Sequence, residues 1–230
     1  MWPGRVRWKR ARPHRYGAVV LLETLAAALV CLDPGHATAP DVGRQLEPIG
    51  PGSRERKLKD GGGAAGEAPV ALAIARRTRT LLLARGYRVA LTRNGGDYRG
   101  GNRERAQFCN RRRAALMIRI HADGSSSPSA HGISTLVPAL RPGWTADVYA
   151  PSRRAGRLVQ RELVRATGAR DLGVVERADL TGFNWADVPV VLAETGFMTN
   201  PRERALLRSA AYQRRIARGL AAAAQRFVSR

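Results

Sequence analysis

From residue 29 to residue 228, short apolar runs alternate with longer segments of helical period. That alternation leaves few options, because a short apolar run needs neighbours on both sides and a long amphipathic segment needs a sheet to cover. The runs at 29–32, 88–92, 116–120, 132–137 and 189–193 are expected strands, and the segments 68–84, 103–113, 153–166, 201–207 and 211–228 are expected helices. In the first helix Leu72, Ala75, Leu82 and Leu83 recur near the helical spacing, with arginines on the outward side. The expected fold class is α/β: a single domain with an open, mostly parallel twisted sheet flanked by helices on both faces. The stretch 37–66 is rich in Gly and Pro, ends in Gly61-Gly62-Gly63 and lacks periodicity, so it is expected to be a long loop.

The chain has 230 residues, enough for one core of ordinary size and too few for two typical domains. Its first fifteen residues carry six basic side chains, and an apolar run from Tyr16 to Leu32 follows, interrupted by Glu23 and Thr24. A basic head before an apolar body is the outline of an export signal, and the run falls short of the ~20 uninterrupted apolar residues of a membrane span. Residues 1–28 are therefore expected to be an export segment and residues 29–230 the working domain, acting in the periplasm, cell wall or medium. The small residues Ala26 to Ala28 suit a signal peptidase, although cleavage there would leave only Leu29 to Leu32 ahead of Asp33.

The formal net charge is +22, which favours polyanionic partners. Only three of the 40 basic residues are lysine, so a general bias towards arginine spread over solvated faces explains the excess equally well. Nucleic acid is not an expected partner, because there are no aromatics interleaved on a basic strand and no helix-turn-helix or zinc-finger spacing. Cys31 and Cys109 are too few for a disulfide framework and lack the paired spacing of a zinc knuckle, so both are expected to be small buried residues.

Three segments end in metal-ligand residue types: Cys31-Leu32-Asp33-Pro34-Gly35-His36 after one strand, Gly66-Glu67 opening a helix, and Ile118-Arg119-Ile120-His121-Ala122-Asp123 after another strand. In an open parallel sheet the carboxyl ends of strands share one edge, so His36, Glu67 and His121 can converge there. Two imidazoles and a carboxylate suit zinc, and three protein ligands leave a fourth position open for chemistry. Asp60 and Glu55 are the acids nearest to Glu67 in sequence. Glu67 is preferred because Ala68-Pro69 follows it and proline suits a first helical turn. Asp123 is placed to orient His121, Arg93, Arg105 and Asn110 to hold site loops or a substrate carboxylate, and Asn200 to cap the helix at Pro201. His131 is expected at the surface.

The order Leu32-Asp33-Pro34-Gly35-His36, Glu67 before an amphipathic helix, Val89-Ala90-Leu91-Thr92-Arg93, Arg105 with Asn110, Ile120-His121-Ala122-Asp123 and Leu192-Ala193-Glu194-Thr195-Gly196-Phe197-Met198-Thr199-Asn200 resembles the zinc-dependent N-acetylmuramoyl-L-alanine amidases. The resemblance spans residues 29 to 228, and several motifs in one order are more specific than any one of them. It implies a hydrolase that cuts the amide between N-acetylmuramic acid and L-alanine of peptidoglycan. It also implies His36, Glu67 and His121 as zinc ligands and Glu194 as the catalytic carboxylate. Arg119 stands where the family commonly has a small polar residue. The rival readings are a non-catalytic wall-binding or regulatory protein of the same fold, and a zinc peptidase acting on another wall bond. Neither oligomeric state nor an activating partner is legible.

Overall fold

A computed structural model describes residues 27–229. Eight strands run in chain order as β1 (Leu29–Pro34), β2 (Leu46–Pro48), β3 (Arg56–Leu58), β4 (Arg88–Leu91), β5 (Leu116–Asp123), β6 (Ile133–Pro138), β7 (Asp171–Arg177) and β8 (Val190–Phe197). Seven helices accompany them: α1 (Pro40–Gly43), α2 (Glu67–Leu83), α3 (Asn102–Arg111), α4 (Ala146–Thr167), α5 (Thr181–Asn184), α6 (Pro201–Arg208) and α7 (Ala210–Val228). Six strands form one sheet in the order β4-β1-β5-β8-β6-β7, and β2 and β3 pair apart from it. All neighbours in the large sheet are parallel except β6 and β8. The mostly parallel sheet and all five expected strands are present.

The central strands are apolar because both faces are covered. Leu116, Met117 and Ile118 are fully buried, as a parallel strand between two helical layers requires. Ile118, Ile120 and Ala122 share a core with Val70, Ile74, Val159, Ile216 and Leu220 from α2, α4 and α7. Met117 packs on the opposite face with Phe183 and Cys109 from α5 and α3. In α2 the buried stripe is Val70, Ala71, Ile74, Ala75, Thr78 and Leu82. Leu83 is 43 % exposed, so the inward stripe is rotated from the expected one and the helix ends with this leucine facing water.

Two expectations are corrected by the fold, and one strand is additional to them. The segment 37–66 is not one loop: it holds α1 and the antiparallel β2–β3 pair, with Glu47 opposite Lys57. Strands of three residues are too short to show a period of two, which hid them in the sequence. Helix α4 starts at Ala146, before the expected 153, because Pro151 lies inside it and reads in sequence as a break. Strand β7 carries Leu172, Val174 and Val175 partly exposed at the sheet edge and was not anticipated.

Cys31 and Cys109 are buried, as expected, but they are joined in a disulfide between β1 and α3 across 78 residues of sequence. A pair so distant carries no local spacing signal, and only the packing of α3 on β1 brings the sulfurs together. The expected export segment, apart from residues 27 and 28, and His14 lie outside the described residues. No helix among the described residues is long and apolar enough to cross a membrane.

Candidate active site

The carboxyl ends of β1, β5 and β8 meet the amino end of α2 along one edge of the sheet, as an open parallel sheet requires. Their side chains line a cleft of about 470 Å³ that includes His36, Glu67, His121, Asp123, Ser125, Glu194 and Thr199. Four of these are the expected site residues, and the fold brings all four together. His121 and Glu194 are cross-strand partners on β5 and β8. Glu67 is the first residue of α2 and is nearly buried.

One donor atom each from His36, Glu67 and His121 lies within 4.8 Å of the other two. Glu67 Oε1 is 3.1 Å from His36 Nε2 and 2.9 Å from His121 Nδ1. The two rings are edge-on, with centroids 4.9 Å apart and planes at 82°. One carboxylate oxygen between two imidazole nitrogens is a donor set that suits a divalent transition metal. Two buried polar atoms here lack any partner: His121 Nε2 and Glu194 Oε2. Leaving such atoms unpaired costs ~1–3 kcal/mol each, a cost that sites of chemistry tolerate and cores rarely do.

The turn after β1 is built to present His36. His36 and Ala37 have φ of 57° and 64°, a left-handed conformation that non-glycine residues adopt only when their surroundings hold them there. The holding is done by arginines. Arg93 donates to the carbonyls of Pro34 (2.9 Å) and Gly35 (2.7 Å), and Arg105 donates to those of Pro34 (3.0 Å) and His36 (2.6 Å). Arg93 also donates to Ala68 O in the first turn of α2 at 2.9 Å, so it ties the His36 turn to the helix that carries Glu67. Gly35 is required by close approach, since a Cβ there would collide with the His121 ring.

Beneath this turn lies a buried charge cluster. Asp33 accepts from Thr92 Oγ1 (2.5 Å), Arg105 Nη1 (2.7 Å) and Arg119 Nε (2.8 Å) and is fully buried. Burial alone would raise its pKa, but the two guanidinium charges and these bonds outweigh burial and hold it well below the usual carboxylate range. Arg119 also reaches Asn102 at the start of α3. The unusual arginine is thus a strut that joins β1, β5 and α3.

The electrostatics of the cleft divide its carboxylates. Burial opposes ionisation of Glu67, but hydrogen bonds from His121 and His36 prevail and keep it ionised. Burial also works against a charged His36, yet its bonds to Asp60 and Glu67 push its pKa up to about 9. His121 moves the other way, held down mainly by burial. Glu194 is raised well above the ordinary value, first by burial and then by the charges of Asp123 and Glu67. A carboxyl group poised to hold a proton beside one that stays ionised is the division of labour that acid–base chemistry needs.

Some expected roles fall elsewhere. Asp123 does not orient His121: its carboxylate accepts from Gly124 N at 2.7 Å, because the strand ends there and the chain turns. Asn110 bonds Trp185 O and Asp187 and fastens α3 to the segment after α5. Arg93 and Arg105 do hold the site loops. Asn200 caps α6, accepting from Arg202 N and Glu203 N. His131 is exposed and bonds Ser129 O. Sequence reasoning weighed Asp60 only as a rival ligand, whereas it is the partner of His36 Nδ1 at 2.6 Å. Its one sequence signal is its place directly before Gly61-Gly62-Gly63.

Residues 30–226 match the N-acetylmuramoyl-L-alanine amidase family model. The chain is 32% identical to an N-acetylmuramoyl-L-alanine amidase of Mycobacterium tuberculosis, over 85% of this chain and 84% of that protein. It is 30% identical to the amidase AmiC of Neisseria meningitidis over 87% of this chain, and it spans about half of that relative's length, 53%. The crystal structure of an N-acetylmuramyl-L-alanine amidase from Mycobacterium smegmatis superposes with a TM-score of 0.80 at 28% identity, over 89% of this chain and 98% of that one. With the donor set in the cleft and a family match across nearly the whole described fold, the chain belongs to the N-acetylmuramoyl-L-alanine amidase family.

Proposed function

We propose that this chain is a zinc-dependent hydrolase that cleaves the amide bond between N-acetylmuramic acid and L-alanine in peptidoglycan. In this reading His36, Glu67 and His121 hold the ion, Glu194 moves the proton, and residues 29–230 form the catalytic domain. The observation that carries it is the convergence of three ligand-type donors with an unpaired Glu194 oxygen in one cleft. Mass spectrometry of fragments released from purified sacculi tests it. Peptides with a free L-alanine amino terminus support this reading, whereas new termini at another peptide bond favour a zinc peptidase.

An amide is resonance-stabilised and its amine leaves poorly, so its hydrolysis needs a nucleophile, stabilisation of charge on the carbonyl oxygen and a proton donor. Bound zinc supplies Lewis acidity, which brings the pKa of water to about 7 and polarises a carbonyl. Glu194 supplies the proton path: its carboxylate takes a proton from the attacking water, the C–N bond breaks, and Oε2 returns the proton to the departing alanine nitrogen. Its raised pKa, caused first by burial, favours that return. Arg93 and Arg105 fix the backbone turn that carries His36 beside the cleft.

The Cys31–Cys109 disulfide supports work outside the reducing cytoplasm, where such bonds persist. A fusion of residues 1–40 to a reporter active only after export should give signal, and a silent reporter counts against export through this segment.

The distribution of charge supports contact with anionic wall polymers. Helices α2, α4 and α7 carry twelve arginines against three acids, and two of those acids, Glu67 and Glu162, are buried. Glu162 is itself covered by Arg161, Arg165 and Arg226. One helical layer therefore presents an arginine-rich surface beside the edge that holds the cleft.

A further inference from the structure

We propose that Asp60 is the positioning residue of the metal centre, fixing by its carboxylate which nitrogen of His36 is offered to the ion. The inference rests on the reading of His36 as a zinc ligand. Asp60 follows β3, and its backbone N–H donates to Gly43 O at 3.2 Å, so the small β2–β3 unit and α1 together place it. Its Oδ1 meets His36 Nδ1 at 2.6 Å and accepts from Gly62 N at 2.9 Å, while Oδ2 accepts from Thr38 N at 3.0 Å. Both oxygens are thereby committed to the turn that carries His36 and to the glycine loop that leads to Glu67.

An ionised carboxylate only accepts, so the proton in the 2.6 Å contact belongs to His36 Nδ1. That leaves Nε2, whose neighbour Glu67 Oε1 lies 3.1 Å away, as the ring nitrogen that faces the other donors and is offered to an ion. Among the described residues Asp60 is the one partner of His36 Nδ1, and the left-handed conformation of His36 and Ala37 does not by itself aim the ring. Gly63 closes the same arrangement: its φ is 67°, and a Cβ there would sit 2.5 Å from both Glu67 Oε2 and His36 Cδ2. His121 has no comparable partner among the described residues. Its Nδ1 meets only Glu67, and Asp123 is bonded to Gly124 instead. The stretch that lacks sequence periodicity is therefore the platform that orients one ligand.

Carboxylates that orient a ligating imidazole are typically worth 10–100-fold in metal affinity. The experiment begins with metal analysis of the wild-type protein, and absence of zinc there removes the zinc reading itself. With zinc present, chelator competition on Asp60→Asn and Asp60→Ala should show affinity weakened about 10–100-fold. Long-range proton–nitrogen spectra of the zinc-loaded wild type should show His36 protonated at Nδ1, with that proton protected from exchange, and the protection should vanish in Asp60→Ala. Should the alanine variant fail to fold, Asp60→Asn carries both measurements, because its single carbonyl oxygen cannot serve Thr38 and His36 together. Affinity within twofold of wild type in a folded variant overturns the proposal, as does a His36 ring protonated at Nε2 in the wild type.

Discussion

His121 and Glu194 are paired residues on the adjacent parallel strands β5 and β8, and each carries a buried side-chain atom without a hydrogen-bond partner. The pairing makes their separation a property of the sheet and not of a loop. It also separates their proposed roles, since one residue is a metal donor and the other holds a raised carboxyl beside the donor set. Glu194→Gln keeps the shape and removes the base. Activity on peptidoglycan should fall by about 10² to 10⁴, while zinc content and melting temperature change little. Loss of zinc in this variant would make Glu194 a ligand, and full activity would falsify the proposed proton path.

The ligands give the complementary result. His36→Ala and His121→Ala each remove one of three donors, and metal analysis should find zinc largely gone from both. Wild-type content in either variant removes that residue from the site.

These residues were legible because their chemistry sits at strand ends, where sequence order and sheet topology coincide. His36, His121 and Glu194 each follow an apolar run that is a core strand, and Glu67 opens an amphipathic helix. What escaped lies in contacts between distant segments. The sulfurs of Cys31 and Cys109 meet only when α3 packs on β1, and the orienting role of Asp60 requires the three-residue strands β2 and β3 to exist. Arg119 could be noticed in sequence as unusual, but its bond to Asp33 depends on the register between β1 and β5, where the two are partners.

The disulfide joins β1, which ends in the His36 turn, to α3, which carries Arg105. In the chain-entropy account, a link across 78 residues stabilises mainly by restricting the unfolded chain, and loss of such a bond from a small domain costs about 2–5 kcal/mol. Cys31→Ser with Cys109→Ser should lower the melting temperature by several degrees, and dithiothreitol should lower that of the wild type to match. A wild type indifferent to reductant, with free thiols confirmed by labelling, would show that the link contributes no stability.

Charge on the α2–α7 surface yields a prediction that compares place with amount. Arg77, Arg214 and Arg218 line one groove between these helices, while Arg111, Arg112 and Arg113 lie exposed at the end of α3. Reversing either trio to glutamate changes net charge equally. If the helical layer holds anionic wall polymers, only the first reversal should markedly weaken binding to poly(glycerol phosphate), and it should do so most at low salt. Equal weakening by both trios would mean that total charge matters and the surface does not.

The buried Asp33 cluster predicts how the fold responds to acid. Asp33 has a lower pKa folded than unfolded, because Arg105, Arg119 and Thr92 favour its charged form more than burial opposes it. A depressed carboxylate contributes stability that is fully present above its unfolded value of 3.8 and is lost as pH falls through the folded one. Urea unfolding should therefore show wild-type stability falling steadily as pH drops below about 4. Thr92→Val removes one of the bonds to the charged form and leaves both ion pairs. It should cost about 1.5–3 kcal/mol at neutral pH, as expected for a hydrogen bond to a charged group, and less in acid. The gap between the two proteins should narrow as pH falls, since protonation of Asp33 erases the advantage that the threonine bond gave to the carboxylate. A gap that stays constant from neutral pH into acid would mean that Asp33 does not titrate over this range, and other carboxylates would then govern acid unfolding.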